Sequence, residues 1–276
     1  AGNGSDPIAL RRVSVRLKPF FLRRTKLAVA ADLPDRIEED INCTLEGIQK
    51  KHYDAELKKA RLLLSKVRSA SDFNEARFNI LTSLLRLRQI CCHPALVHGD
   101  SQSNDAKSSA KLEALRDILE PLRAEGEKVL IFSQFTGLLD IVKPIIEKEG
   151  TPVWTLTGKT NRRKERVESF RKAEGHGAFL ISLKAGGTGL NLTEAAYVIM
   201  LDPWWNPAVE NQAIDRTHRI GQTRTVIAYR LIAADTIEQK IRQLQKDKKL
   251  LAESVLGEAS TEAPLSMDDF RFLIET

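Results

Sequence analysis

Lys128-Val129-Leu130-Ile131-Phe132 contains a short, continuous apolar run with no alternation between apolar and polar residues. Strands of this kind have both faces buried, as in a parallel sheet that is covered by helices on both sides. Similar runs recur along the chain, and helical patterns lie between most of them, which predicts an α/β fold. The further runs are Val153–Leu156, Phe179–Ile181, Val198–Leu201 and Val226–Leu231, and the helical patterns are Leu138–Lys148, Arg162–Arg171 and Ala208–Arg219.

The regions that flank this pattern are mostly helical. Arg36–Leu45 alternates in the manner of a strand, and residues 46–93 then carry two apolar stripes at helical spacing. Residues 99–109 offer almost nothing to bury and are typical of a flexible linker. Asp235–Gly257 predicts a long amphipathic helix, and Met267–Ile274 predicts a short last one. We therefore expect a sheet domain with an added helical part.

Composition excludes several classes of protein. A chain of 276 residues is long enough for one large core or for a core with a subdomain. No apolar run approaches the ~20 residues that span a bilayer, and the chain does not begin like a signal peptide. Three cysteines, Cys43, Cys91 and Cys92, indicate a reducing compartment. Because two of them are adjacent and no second ligand pair has zinc-type spacing, we predict no metal site.

The net charge of +6 is mild, but the basic residues are clustered. Seven lie between Arg11 and Lys26 without any acid, and seven more lie between Lys159 and Lys172 against only Glu165 and Glu168. Clustered basic charge is typical of nucleic-acid binding, although either cluster taken singly could equally be a solubilising surface.

The stretch Gln212–Gln222 carries two arginines three residues apart, Arg216 and Arg219. Asn206 is a good helix cap and Pro207 suits the first helical position, which predicts a helix through this stretch. On such a helix Gln212, Arg216 and Arg219 would share one face. Two guanidiniums aimed at one point fit a transferring phosphoryl group. The alternative is a solvated face with two surface arginines.

Two segments are similar to other parts of a nucleotide site, but each lacks a residue that its motif requires. Thr157-Gly158-Lys159-Thr160 ends like a P-loop, but the first glycine of that motif would fall at Val153. Asp202 ends an apolar run like a metal-holding carboxylate, but Pro203 follows where an acid is expected. The chain thus carries a pair of arginines without an evident cradle for the nucleotide.

A glycine-rich loop and a tryptophan pair complete the candidate residues. Gly186–Asn191 follows a predicted strand and lacks the register of a dinucleotide fingerprint. A tight loop whose N–H groups approach a phosphate fits better, and Lys184 adds positive charge. The chemistry fits a phosphate of DNA and a phosphate of a nucleotide equally. The pair Trp204-Trp205 allows two interpretations. Trp205 projects into a nucleic-acid groove or stacks on a partner lobe, or else both tryptophans pack inside the fold.

Five segments along the chain resemble the later helicase motifs of the SWI/SNF-type ATPases of helicase superfamily two, and they follow one another in the same order as those motifs. Two further segments, Phe20–Lys26 with Asp32–Pro34 and Leu87–Pro94, are similar to the stretch between the two lobes of that family. The resemblance covers nearly the whole chain and favours a bacterial or archaeal relative. The five segments are Lys128–Phe135, Leu156–Thr160, Ser182–Leu192, Asp202–Pro207 and Gln212–Gln222.

The resemblance implies the second of two RecA-like lobes, since the P-loop and the acidic box belong to the first lobe. Arg216 and Arg219 would be arginine fingers at an ATP site whose nucleotide and Mg²⁺ are held mainly by that first lobe. The ATP site would also be supported by Gln212, Gly187, Gly189 and Asn191. The implied DNA-binding residues are Ser133, Gln134, Gly158, Lys159, Thr160, Lys184, Ala185, Gly186 and Trp205.

The same resemblance divides the chain and suggests its partners. Residues 1–45 would be the inter-lobe segment and first strand, residues 46–98 a helical insertion, 99–109 a linker, 110–233 the RecA-like core, and 234–276 a brace helix and tail. Its partners would be double-stranded DNA, the first lobe and a protein–DNA complex to be remodelled, in the bacterial nucleoid or cytoplasm or in a nucleus. The alternative is a non-catalytic DNA- or partner-binding module with the same fold.

Overall fold

The protein is described by a computed structural model that covers residues 33–98, 109–183, 185, 189–256 and 266–275. The chain divides into two units, Ala1–Leu33 and Pro34–Thr276, and all elements below belong to the second unit. The basic stretch from Arg11 to Lys26, nearly all of the expected linker, and Lys184, Gly186 and Gly187 lie outside the described residues.

Six parallel strands form one sheet in the order β1-β6-β5-β2-β4-β3. The predicted α/β class, a RecA-like parallel sheet with helices, is confirmed. β1 pairs along its whole length with β6, so the segment that precedes the helical region completes one edge of the sheet. The strands are β1 (Arg36–Cys43), β2 (Lys128–Ser133), β3 (Val153–Leu156), β4 (Gly177–Ser182), β5 (Tyr197–Met200) and β6 (Val226–Ala233).

Helices cover both faces of the sheet because successive strand side chains point to opposite sides. Val129 and Ile131 of β2 belong to the core under α4 and α5, whereas Leu130 and Phe132 belong to the core under α6 and α7. All four side chains are almost fully buried, and each stabilises the fold by ~1.5–3 kcal/mol. The four helices are α4 (Ala110–Ala124), α5 (Thr136–Lys148), α6 (Arg163–Lys172) and α7 (Pro207–Ile214).

A third core joins the helices that come before and after the sheet domain in sequence. Tyr53, Leu84 and Ile90 pack with Ile237 and Phe270 in this core. The hydroxyl of Tyr53 accepts a hydrogen bond from the N–H of Ile237 at 2.8 Å. The predicted helical insertion and the predicted C-terminal helices therefore form one helical subdomain. Its helices are α1 (Gly47–Ser65), α2 (Ala70–Cys92), α3 (Ala95–His98), α8 (Ile237–Leu256) and α9 (Met267–Glu275).

Among the helices that the structure describes, none is both long and apolar enough to cross a membrane.

Candidate nucleotide and DNA interface

The two candidate arginines lie in a turn rather than on a helix. Asn206 caps α7 as predicted, since its side chain accepts from the N–H of Ala208 at 2.8 Å, and Pro207 is the first helical residue. However, α7 ends at Ile214, so the prediction of one helix that carries Gln212, Arg216 and Arg219 is wrong. After Ile214 the backbone hydrogen bonds tighten to a span of three residues, since the N–H groups of Arg216 and Thr217 donate to the carbonyls of Ala213 and Ile214 at 3.2 and 3.0 Å. We call Asp215–Gln222 the arginine turn.

Arg216 is buried, with 4% of its surface exposed, and yet two of its guanidinium nitrogens are unpaired. Nε and Nη1 have no hydrogen-bond partner anywhere in the described part of the chain. Burial, followed by repulsion from Arg219, lowers the pKa of Arg216. An unpaired buried donor is costly unless something accepts from it. The site therefore favours an anion beside Arg216.

Arg219 is placed differently. Its Nε donates to the carbonyl of Asp215 at 2.9 Å, and its side chain is half-buried. Gln212 lies in the last turn of α7 and is exposed. The structure thus brings two guanidiniums into one turn, one of them anchored to the backbone and one with free donors.

The arginine turn and the segment after the glycine-rich loop form one unit. The N–H of Leu192 donates to the carbonyl of Arg216 at 2.9 Å. The buried side chain of Gln222 donates to the carbonyls of Thr193 and Ala195 at 3.1 Å each, and to that of Thr217 at 3.3 Å. Sequence reasoning included Gln222 only as the end of a motif and missed this role.

The described residues of the glycine-rich loop differ in exposure. Gly189 has a φ of +37° and is exposed, and no atom of the described residues lies within 4 Å of the position where a Cβ would be. Asn191 is also exposed, whereas the side chain of Ala185 is buried in the sheet core. Any contact that Ala185 makes with a ligand would therefore come from its backbone.

At the end of β2, an acidic side chain holds the candidate DNA-binding residues. Ser133 is fully buried, and its hydroxyl donates to Asp202 Oδ1 at 2.5 Å. The N–H of Gln134 donates to the same oxygen at 3.2 Å. Burial raises the pKa of Asp202, although Arg88 and Ser133 act in the opposite direction. The Ser133 side chain thus supports the loop from inside, and Gln134 is the half-exposed residue of the two.

Both tryptophans of the pair are partly buried and packed. The guanidinium of Arg88 lies 5.1 Å from the ring centroid of Trp205, and it donates to the carbonyl of Pro203 at 2.6 Å. Trp205 packs against the helical core, and Trp204 packs against the core under α6 and α7. This arrangement fits the alternative in which both rings are packed. No sequence pattern indicated the buried partner Arg88.

A basic cavity of about 700 Å³ lies beside edge strand β3 and next to the Thr-Gly-Lys-Thr loop. Lys159 and Arg166 have no ionic partner in the described structure, and Arg162 has a strained left-handed backbone with φ +53°. Gly158 and Lys159 are exposed, while Thr160 accepts from the N–H of Thr157 at 2.8 Å. The cavity is lined by Lys143, Val153, Thr155, Lys159, Thr160, Asn161, Arg162, Glu165, Arg166 and Ser169.

Metal-ligating groups do not converge in the structure as far as it is described: no three His, Cys, Asp or Glu residues could share an ion. Cys43, Cys91 and Cys92 are free and buried. The residues present therefore fit one side of a phosphate site, with donors from Arg216, and none of those described supplies a metal centre.

Two family models match the chain. The model of the helicase conserved C-terminal domain matches residues 110–221, and the model of the SNF2-related domain matches residues 6–96. A putative ATP-dependent helicase/translocase YwqA of Bacillus subtilis is 38% identical over 263 residues, which are 93% of this chain and 28% of that protein. An uncharacterized ATP-dependent helicase of Mycoplasma pneumoniae is 39% identical over 245 residues, 88% of this chain and 23% of that protein. The chain spans about a quarter of the length of these relatives.

Solved structures give the same result. The Sulfolobus solfataricus SWI2/SNF2 ATPase C-terminal domain matches 87% of this chain and 99% of its own, with a TM-score of 0.69 and 33% identity. The ATPase core of the same organism in complex with double-stranded DNA matches 98% of this chain and 57% of its own, with a TM-score of 0.71 and 35% identity. On sequence, motif order and fold, the chain belongs to the SWI2/SNF2 ATPase family.

Proposed function

We propose that this chain is the second motor lobe of an ATP-dependent translocase that moves on double-stranded DNA. In this proposal ATP and Mg²⁺ are held mainly by a first lobe, which carries the P-loop and the acidic box. Hydrolysis transfers the γ-phosphoryl group to water, and Arg216 and Arg219 stabilise the negative charge that spreads over its oxygens. Gln212, Gly189 and Asn191 lie around the same lobe interface.

The observation that carries the proposal is that Arg216 is buried and has unpaired donors. It is buried, it has two N–H groups without an acceptor, and it belongs to a turn that Gln222 fixes to the neighbouring loop. A surface arginine would instead be solvated, and a structural arginine would be paired within the fold. A guanidinium that is held in place but unpaired is preorganised for an anion from another part of the motor.

The DNA-binding surface of the proposal is the end of β2 together with the basic cavity beside β3. Gln134, Gly158, Lys159 and Thr160 belong to it. Ser133 and Asp202 support it from within, so we assign Ser133 a positioning role instead of a direct contact. Trp205 contributes through its exposed part.

The decisive experiment uses a protein in which this chain follows its first lobe. We expect Arg216→Ala to reduce DNA-stimulated ATP turnover by roughly 10³–10⁵-fold, the range for arginine fingers. We expect Arg219→Ala to lower DNA-stimulated ATP turnover as well. Affinity for DNA should stay unchanged in both variants, because neither arginine lies on the proposed DNA surface. Arg116→Ala is a matched control, since Arg116 forms an exposed ion pair with Glu149 on the opposite side of the sheet.

Near-normal turnover of the two finger variants would refute the catalytic part and favour a non-catalytic DNA- or partner-binding module. The chain alone should not hydrolyse ATP, and it should bind duplex DNA with an affinity that falls steeply as salt rises. Binding that depends on base sequence and resists salt would contradict a backbone-tracking motor. We expect such a motor to act on a protein–DNA complex, in a nucleoid or in a nucleus.

A further inference from the structure

Glu210 is a fully buried carboxylate in the first turn of α7, with 1% of its surface exposed. Its Oε2 accepts from Nε of Arg230 at 2.9 Å, and its Oε1 accepts from the backbone N–H of Trp204 at 2.8 Å. Gln245 of α8 reaches the same Oε1 at 3.4 Å. One side chain thus joins α7 to β6, to α8 and to the tryptophan loop.

Arg230 is buried on β6 and connects Glu210 to the edge of the sheet. It donates to Glu38 of β1 and lies 3.6 Å from Asp40. Burial alone would lower the pKa of Arg230, but Glu210 and Glu38 outweigh that effect and raise it. The guanidinium therefore stays charged and holds three carboxylates in place.

The other end of α7 is tied to the same strand. Arg36 of β1 donates to Asn211 Oδ1 at 2.7 Å and lies 3.4 Å from Asp215 Oδ1. Arg36 also pairs with Glu38 at 2.5 Å, so the charges that hold the two ends of α7 are continuous. α7 is only eight residues long and leads directly into the arginine turn.

Arg216 cannot fix its own position through Nε and Nη1, because these have no partner in the described structure. Its location is set by the backbone, and the backbone comes from α7. We propose that Glu210 is a positioning residue for ATP hydrolysis, which holds α7 against Arg230 so that Arg216 reaches the phosphate. This inference rests on the proposed function and assigns Glu210 no contact with the nucleotide.

The test is steady-state ATP hydrolysis by the two-lobed protein with saturating DNA, well below the unfolding temperature of each variant. Glu210→Ala removes all three contacts, and we expect kcat to fall by about 100-fold, the loss that a displacement of ~1 Å can cause. The KM for ATP should stay within about twofold, because the fingers act in the transition state. Glu210→Gln keeps an acceptor for Trp204 and should show a smaller fall in kcat.

Glu238→Gln is the matched control for the loss of a buried charge. Glu238 is equally buried, pairs with Lys111 at 2.6 Å and belongs to α8, away from the arginine turn. It should lower the melting temperature and leave kcat within about twofold, since Arg216 keeps its place. A merely structural role for Glu210 would give the same result as this control.

A lower kcat with an unchanged KM in the Glu210 variants, and a normal kcat in Glu238→Gln, supports the inference. A normal kcat in Glu210→Ala, or a raised KM alone, overturns it. Arg216→Ala measured in parallel separates the two levels: if that variant is inactive while Glu210→Ala is normal, the proposed function stands and only the role of Glu210 fails.

Discussion

Replacement of Gln222 by Glu is a nearly isosteric change that tests whether the arginine turn is held as described. The Gln222 side chain is 5% exposed. Its amide nitrogen donates to three backbone carbonyls, and its amide oxygen accepts from the N–H groups of Thr223 and Arg224 at 3.0 Å each. Gln222→Glu replaces the donor by an oxygen and leaves the acceptor in place.

The cost can be worked out bond by bond. The amide nitrogen carries two hydrogens, which the three carbonyls share. Two hydrogen bonds are therefore lost, each with a net contribution of about 1 kcal/mol, so we expect a loss of at least about 2 kcal/mol in the free energy of unfolding. Repulsion between the new carboxylate and the three carbonyl oxygens adds to this loss. The folded-state pKa of the introduced carboxyl should therefore lie above its ordinary value of about 4.3.

The sign of the pH dependence follows from that shift. The penalty is fully present above the raised folded-state pKa, and the part due to ionisation disappears as pH falls through that pKa toward the ordinary value, because a protonated carboxyl is neutral and again donates one hydrogen bond. The assay is urea unfolding of the chain at pH 8 and pH 5, with the parent chain at each pH as reference. Gln239→Glu is the control, since Gln239 is exposed in the first turn of α8, where a carboxylate is favourable.

Stability of Gln222→Glu within about 1 kcal/mol of the parent at pH 8 would contradict this role of Gln222, because that is less than the net value of the two lost bonds. It would mean that the amide does not hold the segment 193–195 to the arginine turn.

Two further predictions concern buried groups away from this turn. Lys111→Met should lower the free energy of unfolding, measured with urea, by about 3–5 kcal/mol, because Glu238 is left buried without its partner. The double variant Lys111→Met with Glu238→Leu should recover most of the loss. A double variant as unstable as the single one would contradict this. Burial raises the pKa of Cys43 from 9.0 to about 11, so its alkylation by iodoacetamide at pH 8 should be about 100-fold slower than in urea-unfolded chain. Peptide mass spectrometry measures this rate, and equal rates in the two states would show that the thiol is accessible.

The sheet was predictable because its signal is local. Lys128–Phe132 is apolar without alternation, and a strand with that pattern must be covered on both faces, which the observed cores under α4–α5 and α6–α7 confirm. Boundaries were less accurate: Val198–Leu201 was expected and β5 is Tyr197–Met200, since apolar residues continue past the last ladder pair. Periodicity marks which residues are buried, and hydrogen bonds decide where a strand ends.

The helix expected to run through Arg219 failed for a related reason. The spacing of Gln212, Arg216 and Arg219 favours a helix past Ile214, but the backbone hydrogen bonds tighten there to a span of three residues. The N–H groups of Arg216 and Thr217 donate to the carbonyls of Ala213 and Ile214 at 3.2 and 3.0 Å. Spacing therefore predicted two arginines on a shared helical face, and the structure brings them together by a turn.

The sequence patterns did not predict the buried residues that hold other residues in place. Arg88, Lys111 and Glu210 are buried charges, and composition gives such residues a strong prior for the surface. Their partners are 20 to 127 positions away in sequence: Arg230 for Glu210, Glu238 for Lys111, and Pro203 and Trp205 for Arg88. No local pattern records these pairs. A motif therefore marks Arg216 as a candidate for phosphate chemistry, but only the fold shows that its free donors depend on a backbone that other side chains fix. Since a buried charge is costly unless it is paired, each of these unexpected pairs marks a place where the fold fixes geometry, and Glu210–Arg230 is the one that bears on the arginine turn.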